Sequence, residues 1–196
     1  MAKVSGNGFL FLLIRFIYRS LFSIFCRAEV VGTQNIPQTG GVIIAPNHIS
    51  LADPPLTASY IKRPLFFMAK KELFNIPFFG RLISMTNAFP VDRNKQDIAA
   101  FRTAIKVLKE GNALLIFPEG TRSRDGQIGK ARSGIAMIAA EANVPVVPVR
   151  ITNSNNALKL AKVKIVYGIP ILPPLAGTKE TYRKFAEQII EEIKKL

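Results

Sequence analysis

The chain has 196 residues, 48% of them apolar, enough to bury the core of one domain. Its 27 Lys and Arg against 13 Asp and Glu leave a net charge of +14, which draws it toward an anionic membrane surface, nucleic acid or a phosphorylated substrate. A single cysteine, Cys26, excludes an internal disulfide, and one cysteine with one histidine leaves too few ligands for an ordinary zinc site.

In chain order, residues 1–28 read as an N-terminal membrane-associating helix and residues 29–196 as the main domain. The run 9–26 is almost continuously apolar, broken by Arg15 and Arg19, and no acidic residue precedes Glu29. A helix of that length rises only about 27 Å, short of a comfortable span. Each arginine near its middle adds roughly 2.5–3.5 kcal/mol to the cost of insertion. Arg15, Arg19 and Ser23 fall on one polar stripe, which predicts a helix lying in a bilayer interface with its arginines among the headgroups. The alternative is a helix docked on the domain's own core. No signal-peptide cleavage site follows the run, so the expected location is the cytoplasmic face of the cell membrane, peripheral or monotopic.

Beyond residue 28, strands are predicted at 28–32, 42–45, 65–69, 113–117, 146–151 and 163–167. A helix opens at Asn94, with Asp97 in a capping-box-like position, buries Ile98, Phe101, Ile105 and Leu108, and ends at Gly111. A second helix follows Lys130 through Ile135, Ile138 and Ala139. A third runs from Thr178 with Tyr182, Phe185, Ile189 and Ile193 on one face. The layout predicts an α/β fold with a mixed, largely parallel central sheet and flanking helices. Pro145 and Pro148 bracket one strand, which predicts an edge, a strand start or a kinked stretch there.

Ligands of open α/β sheets gather outside the carboxyl ends of the strands. The apolar run 42–45 leads into Pro46-Asn47-His48, with Asp53 five residues after His48. Imidazole suits proton transfer near neutral pH, and a carboxylate behind it fixes the tautomer and stabilises the imidazolium. A second run, 113–117, leads into Pro118-Glu119-Gly120-Thr121-Arg122-Ser123, which brings a carboxylate, a permissive glycine, a hydroxyl and an arginine. A third segment, Asn87-Ala88-Phe89-Pro90-Val91-Asp92-Arg93, reaches the same region with Arg93. Arginine's planar fork suits phosphate.

These blocks resemble the glycerolipid acyltransferase family. The resemblance rests on Asn47-His48-Ile49-Ser50-Leu51-Ala52-Asp53, Phe89-Pro90-Val91-Asp92-Arg93, Phe117-Pro118-Glu119-Gly120-Thr121-Arg122-Ser123 and Val144-Pro145-Val146-Val147-Pro148-Val149, with Lys70-Lys71-Glu72-Leu73 between the first two. Together they span roughly residues 29–170. Pro90 departs from the pattern, where an apolar β-branched residue is expected.

The resemblance implies transfer of a fatty acyl group from acyl-CoA or acyl carrier protein to the hydroxyl of a lysophospholipid, with 1-acyl-glycerol 3-phosphate as acceptor. An alcohol is a weak nucleophile, so a base must take its proton as the bond forms. His48 is the expected base and Asp53 its partner. Backbone N–H groups of Gly120 and Thr121 are the expected oxyanion donors. Arg93 and Arg122 are expected on the acceptor phosphate, with Glu119 on polyol hydroxyls or fixing an arginine; Lys130 and Arg132 are secondary phosphate candidates. The run Phe74-Asn75-Ile76-Pro77-Phe78-Phe79 with Leu82 and Ile83 is expected to line an acyl channel, touch the membrane or pack in the core. No metal or cofactor is called for beyond the acyl donor. The expected partners are the lysolipid, the thioester, an anionic membrane surface and an acyl carrier protein as donor. The alternatives are another acceptor, such as glycerol 3-phosphate or a different lysolipid, and a non-catalytic peripheral lipid-binding protein. A nucleic-acid-binding role does not fit, because the aromatics sit in the first helix and in buried-looking runs rather than among exposed basic residues.

Overall fold

The computed structural model describes residues 16–17, 19–20, 26–93, 95–123, 125–159 and 161–196. Most of the predicted N-terminal helix, Arg15 and Ser23 included, and Asn94 lie outside the described residues. Among the described residues no helix is long and apolar enough to cross a membrane.

Seven strands form one sheet: β1 (Glu29–Val31), β2 (Val42–Pro46), β3 (Leu65–Lys70), β4 (Ala88–Val91), β5 (Ala113–Leu115), β6 (Val146–Thr152) and β7 (Lys164–Tyr167). Their spatial order is β1-β7-β6-β2-β5-β3-β4. The five strands from β6 to β4 run parallel. β7 lies antiparallel to β6, and β1 is parallel to β7. β1 therefore begins at the end of the sheet where the parallel strands finish.

Among the described residues after β1, α-helices accompany the sheet at α1 (Asp53–Ser59), α2 (Phe79–Ser84), α3 (Ile98–Lys109), α4 (Gly134–Ala142) and α5 (Lys179–Lys195). Every residue of β2 is buried. Because successive side chains leave a strand on opposite faces, Ile43 and Ala45 join the core under α3, α4 and α5. Val42 and Ile44 pack on the other face with Leu56, Leu65, Ile165 and Tyr167. Burial pushes the Tyr167 phenol far above its ordinary pKa, and its hydroxyl donates to Thr57 O at 2.9 Å.

The structure refines four expectations. The helix expected at Asn94 begins at Ile98, because the Asp97 carboxylate caps it by accepting from Ala100 N at 3.0 Å. Of its expected stripe, Leu108 is buried and Phe101 and Ile105 pack partly buried against the core beside Ala100, Ala104 and Val107, whereas Ile98 in the first turn is exposed. The segment containing Pro90 is a strand, β4, at the sheet edge. Phe67 N donates to Asn87 O, so alternation turns the Pro90 nitrogen outward, where no ladder bond is lost.

Of the edge, strand start or kinked stretch expected at Pro145 and Pro148, the edge is excluded: β6 lies in the interior between β2 and β7. Pro145 precedes the strand, and Pro148 falls where the pairing slips by one residue between Val146↔Ile171 and Val149↔Tyr167. The Pro148 carbonyl still accepts from Gly168 N at 2.8 Å, and its nitrogen meets the slip. At the amino end of the parallel strands, Arg63 clamps the turns by donating to Pro37 O at 2.8 Å, to Gly40 O at 2.6 Å and to Gly111 O.

Candidate active site

β2 and β5 are neighbours, and the chain leaving their carboxyl ends builds one pocket. Asn47 extends β2 with its side chain: Nδ2 donates to Ile151 O at 3.0 Å and Oδ1 accepts from Ile151 N at 2.7 Å. That bridge to β6 fixes the start of the next loop. His48 follows, only 7% exposed, its ring stacked on Phe117 with centroids 3.8 Å apart and planes 16° apart.

The loop closes on Asp53, the first residue of α1 and fully buried. Asp53 Oδ2 lies 2.8 Å from His48 Nδ1 and accepts from Ile49 N and Ser50 N, each at 2.7 Å. Asp53 Oδ1 accepts from the buried Ser154 hydroxyl. A carboxylate can only accept, so the proton between the two side chains sits on Nδ1. Nε2 is then the lone-pair nitrogen, and it makes no hydrogen bond among the described residues.

The second arm holds His48 by its backbone. Glu119 is buried; Oε1 accepts from His48 N and Oε2 from Gly129 N, both at 2.9 Å. Ser123 N donates to His48 O at 2.8 Å. Both backbone groups of the histidine are thus held by the segment that follows β5. This geometry gives Glu119 a role beside the expected one. Each of its oxygens accepts from a backbone amide, so it clasps the two arms together, and its remaining lone pairs face the polar hollow that Arg122 and Lys130 also line.

The expected oxyanion donors also separate. Gly120 N donates to Phe117 O at 3.0 Å inside the turn, which removes it as a donor to substrate. Thr121 N makes no hydrogen bond among the described residues. Gly120 has φ +74, and a Cβ there would lie 2.7 Å from Arg132 Nε, so the turn needs glycine on both counts.

The cations converge. Arg93 follows β4, beside Asp92, which accepts from Lys71 Nζ at 2.7 Å. Partial burial and the neighbouring guanidiniums of Arg132 and Arg122 lower the Arg93 pKa from its usual value, against an opposing pull from Glu72. Arg132 N donates to Pro118 O at 2.8 Å, and its side chain lies over Gly120. None of these three arginines forms an ion pair among the described residues. Three neighbouring guanidiniums without an ion-pair partner among the described residues make an anion-attracting surface. Lys130 lines a polar hollow with Arg122, Thr121, Ser123 and Gln127, with Glu119 at its wall. Among the described residues no three His, Cys, Asp or Glu side chains cluster to hold a metal ion.

The structure therefore brings His48, Asp53, Glu119, Thr121, Arg93 and Arg122 to one end of the sheet. It adds a stacking role for Phe117, known from the sequence only as the start of its block, and Ser154, which the sequence did not single out. Ser154 sits just past β6, and a polar residue following the strand beside β2 was its only trace. The apolar run 74–79 does not close into a channel: Ile76, Phe78, Phe79 and Leu82 are exposed.

The family model described as Acyltransferase matches residues 27–152. A 1-acyl-sn-glycerol-3-phosphate acyltransferase of Borreliella burgdorferi is 36% identical over 129 residues, covering 65% of this chain and 52% of that protein. The chain thus spans about half the length of that relative. The protein of the same name from Bacillus subtilis is 31% identical, with 86% of this chain and 87% of that protein covered. The crystal structure of the 1-acyl-sn-glycerophosphate (LPA) acyltransferase PlsC from Thermotoga maritima superposes with a TM-score of 0.77 at 29% identity, covering 96% of this chain and 81% of that one.

Proposed function

The chain belongs to the acyltransferase family, and from that premise we propose that it moves a fatty acyl group from an acyl thioester to the sn-2 hydroxyl of 1-acyl-glycerol 3-phosphate. The product is phosphatidic acid, a precursor in phospholipid synthesis. The single observation that carries this reading is an available imidazole nitrogen, His48 Nε2, at the same end of the sheet as three arginines without ion-pair partners. A hydroxyl to deprotonate and a phosphate to hold are what such an acceptor offers. The names of the relatives above support the same acceptor.

In the proposed reaction the acceptor hydroxyl attacks the thioester carbonyl directly, and His48 Nε2 takes its proton as the C–O bond forms. Asp53 stabilises the imidazolium through Nδ1–H. The tetrahedral oxyanion draws on the free Thr121 N–H. Its collapse breaks the C–S bond, and the imidazolium returns the proton to the departing thiolate. No enzyme nucleophile enters, and the donor is a substrate, so the reading calls for no resident cofactor. Arg93, Arg122 and Arg132 hold the acceptor phosphate, with Lys130 at the rim.

The site is proposed to face a membrane, since acceptor and product are lipids. β1 starts at the end of the sheet where the site lies, so the chain enters the domain at that end, which is compatible with a membrane-facing site. The net charge of +14 supports an anionic, cytoplasmic-facing leaflet. It also suits an acidic acyl carrier protein as donor.

The test is product analysis by mass spectrometry with lysophosphatidic acid or glycerol 3-phosphate as acceptor, each with acyl-CoA or acyl carrier protein. Phosphatidic acid from lysophosphatidic acid supports the reading. Lysophosphatidic acid made from glycerol 3-phosphate alone replaces the acceptor, and no transfer to either overturns the enzyme assignment.

A further inference from the structure

We propose that an apolar ridge formed by Phe78, Phe79, Leu82 and Met85 inserts into the lipid bilayer and seats the catalytic end of the domain against it. The proposal rests on the lipid-acyltransferase reading for the reason a membrane is present, and on the following observations for the surface that meets it.

Phe78 is 92% exposed and has φ +60, a backbone conformation that costs a non-glycine residue energy. The fold therefore holds a phenylalanine outward at a conformational cost. Leu82 and Met85 follow at the helical spacing that places them on the same side, both exposed, and Phe79 lies beside Phe78. The opposite side of α2 is fixed. Gly80 is buried, and a Cβ there would lie 2.1 Å from Phe74 O, so the helix sits directly on the preceding turn and cannot roll its apolar face inward. A contiguous exposed apolar patch of this kind marks a contact surface.

Charge selects an anionic bilayer over a protein partner as the occupant. From residue 73 to residue 91 there is no Asp or Glu, and exposed Arg81, within the ridge, forms no ion pair among the described residues, while Lys70 and Lys71 behind it pair with Glu72 and Asp92. Aromatic and aliphatic side chains set among basic ones match the boundary between acyl chains and anionic headgroups. Position agrees. The segment leaves the carboxyl end of β3, and Lys71 is tied to Asp92, the residue before Arg93. Leu51, 73% exposed, lies in the His48–Asp53 loop at the same end. A second exposed apolar group, Ile169, Leu172 and Leu175, follows β7 and lies at the opposite end of the sheet, so it cannot share that plane.

The chain has no tryptophan, so Phe78→Trp is a unique fluorescent reporter in the full-length protein. On vesicles of phosphatidylethanolamine and phosphatidylglycerol containing brominated lipid, its emission shifts to the blue and is quenched, while Leu172→Trp in the same assay stays red and unquenched. The double variant Phe78→Ser with Leu82→Ser binds these vesicles roughly tenfold more weakly, and its turnover of a short-chain, water-soluble acceptor is unchanged. Red, unquenched emission from Phe78→Trp on vesicle-bound protein overturns the proposal. So does emission already blue without vesicles, which would give the ridge to the chain's own first residues, or equal quenching at both positions, which would mean unoriented adsorption. The fluorescence requires no turnover. Insertion without any product overturns the enzyme reading and leaves the surface, and product without insertion does the reverse.

Discussion

Glu119→Gln separates a clasp from a substrate ligand. The buried carboxylate accepts from His48 N and Gly129 N, both at 2.9 Å. The amide keeps one acceptor oxygen and sets an NH₂ group against the other N–H. One charge-assisted bond is lost, about 1.5–3 kcal/mol, and the other becomes a neutral one, so the fold should lose about 2–4 kcal/mol in all. For a domain of this size that corresponds to roughly 4–16 °C in Tm. A histidine backbone freed to move by about 1 Å would lower kcat by up to about 100-fold, with little change in acceptor KM. The assays are calorimetry and steady-state kinetics with varied acceptor. An unchanged Tm with a selective rise in acceptor KM would refute the clasp and return Glu119 to the substrate.

Three further expectations follow from neighbouring contacts. Ser154→Ala strips the donor from Asp53 Oδ1, and kcat should fall about 5–10-fold with KM unchanged, Ser154→Thr recovering most of the loss; a change in KM alone would contradict a positioning role. Arg132→Gln should raise acceptor KM about tenfold, the loss of one charge-assisted contact, and leave Tm alone; unaltered KM would remove Arg132 from the phosphate site. The Asp97 carboxyl is held below its usual pKa by the Ala100 and Asp92 backbone N–H groups. Its stabilisation is present above about pH 4 and is lost as the pH falls through the depressed value, so wild type and Asp97→Asn should converge in Tm in acid and diverge at neutral pH. A pH-independent difference would contradict the cap.

Much of the fold was legible because a central parallel strand buries both faces and leaves a continuous apolar run, as 42–45 and 113–115 do. β4 escaped because Asn87 and Pro90 read as loop chemistry, and only an edge position tolerates them. For β6 the two prolines left an edge, a strand start and a kink open, because the register slip that accommodates Pro148 is set by residues 167–171, across the sheet and far along the chain. In the site, His48 and Asp53 were legible because the loop between them is short enough to fix their contact locally. The clasp was not, since Glu119 bonds backbone amides, which carry no sequence signature. Ser154 was hidden for a similar reason: its partner lies 101 positions away.

The central claim is that His48 takes the proton of an acceptor hydroxyl during acyl transfer. Phosphatidic acid formation from lysophosphatidic acid and an acyl thioester, followed by mass spectrometry for wild type and for a folded His48→Ala protein of matched Tm, tests it most directly. The account predicts product from the wild type and a loss of at least about 1,000-fold in the variant, since the base and the anchored imidazolium vanish together. Equal rates from the two proteins would contradict it.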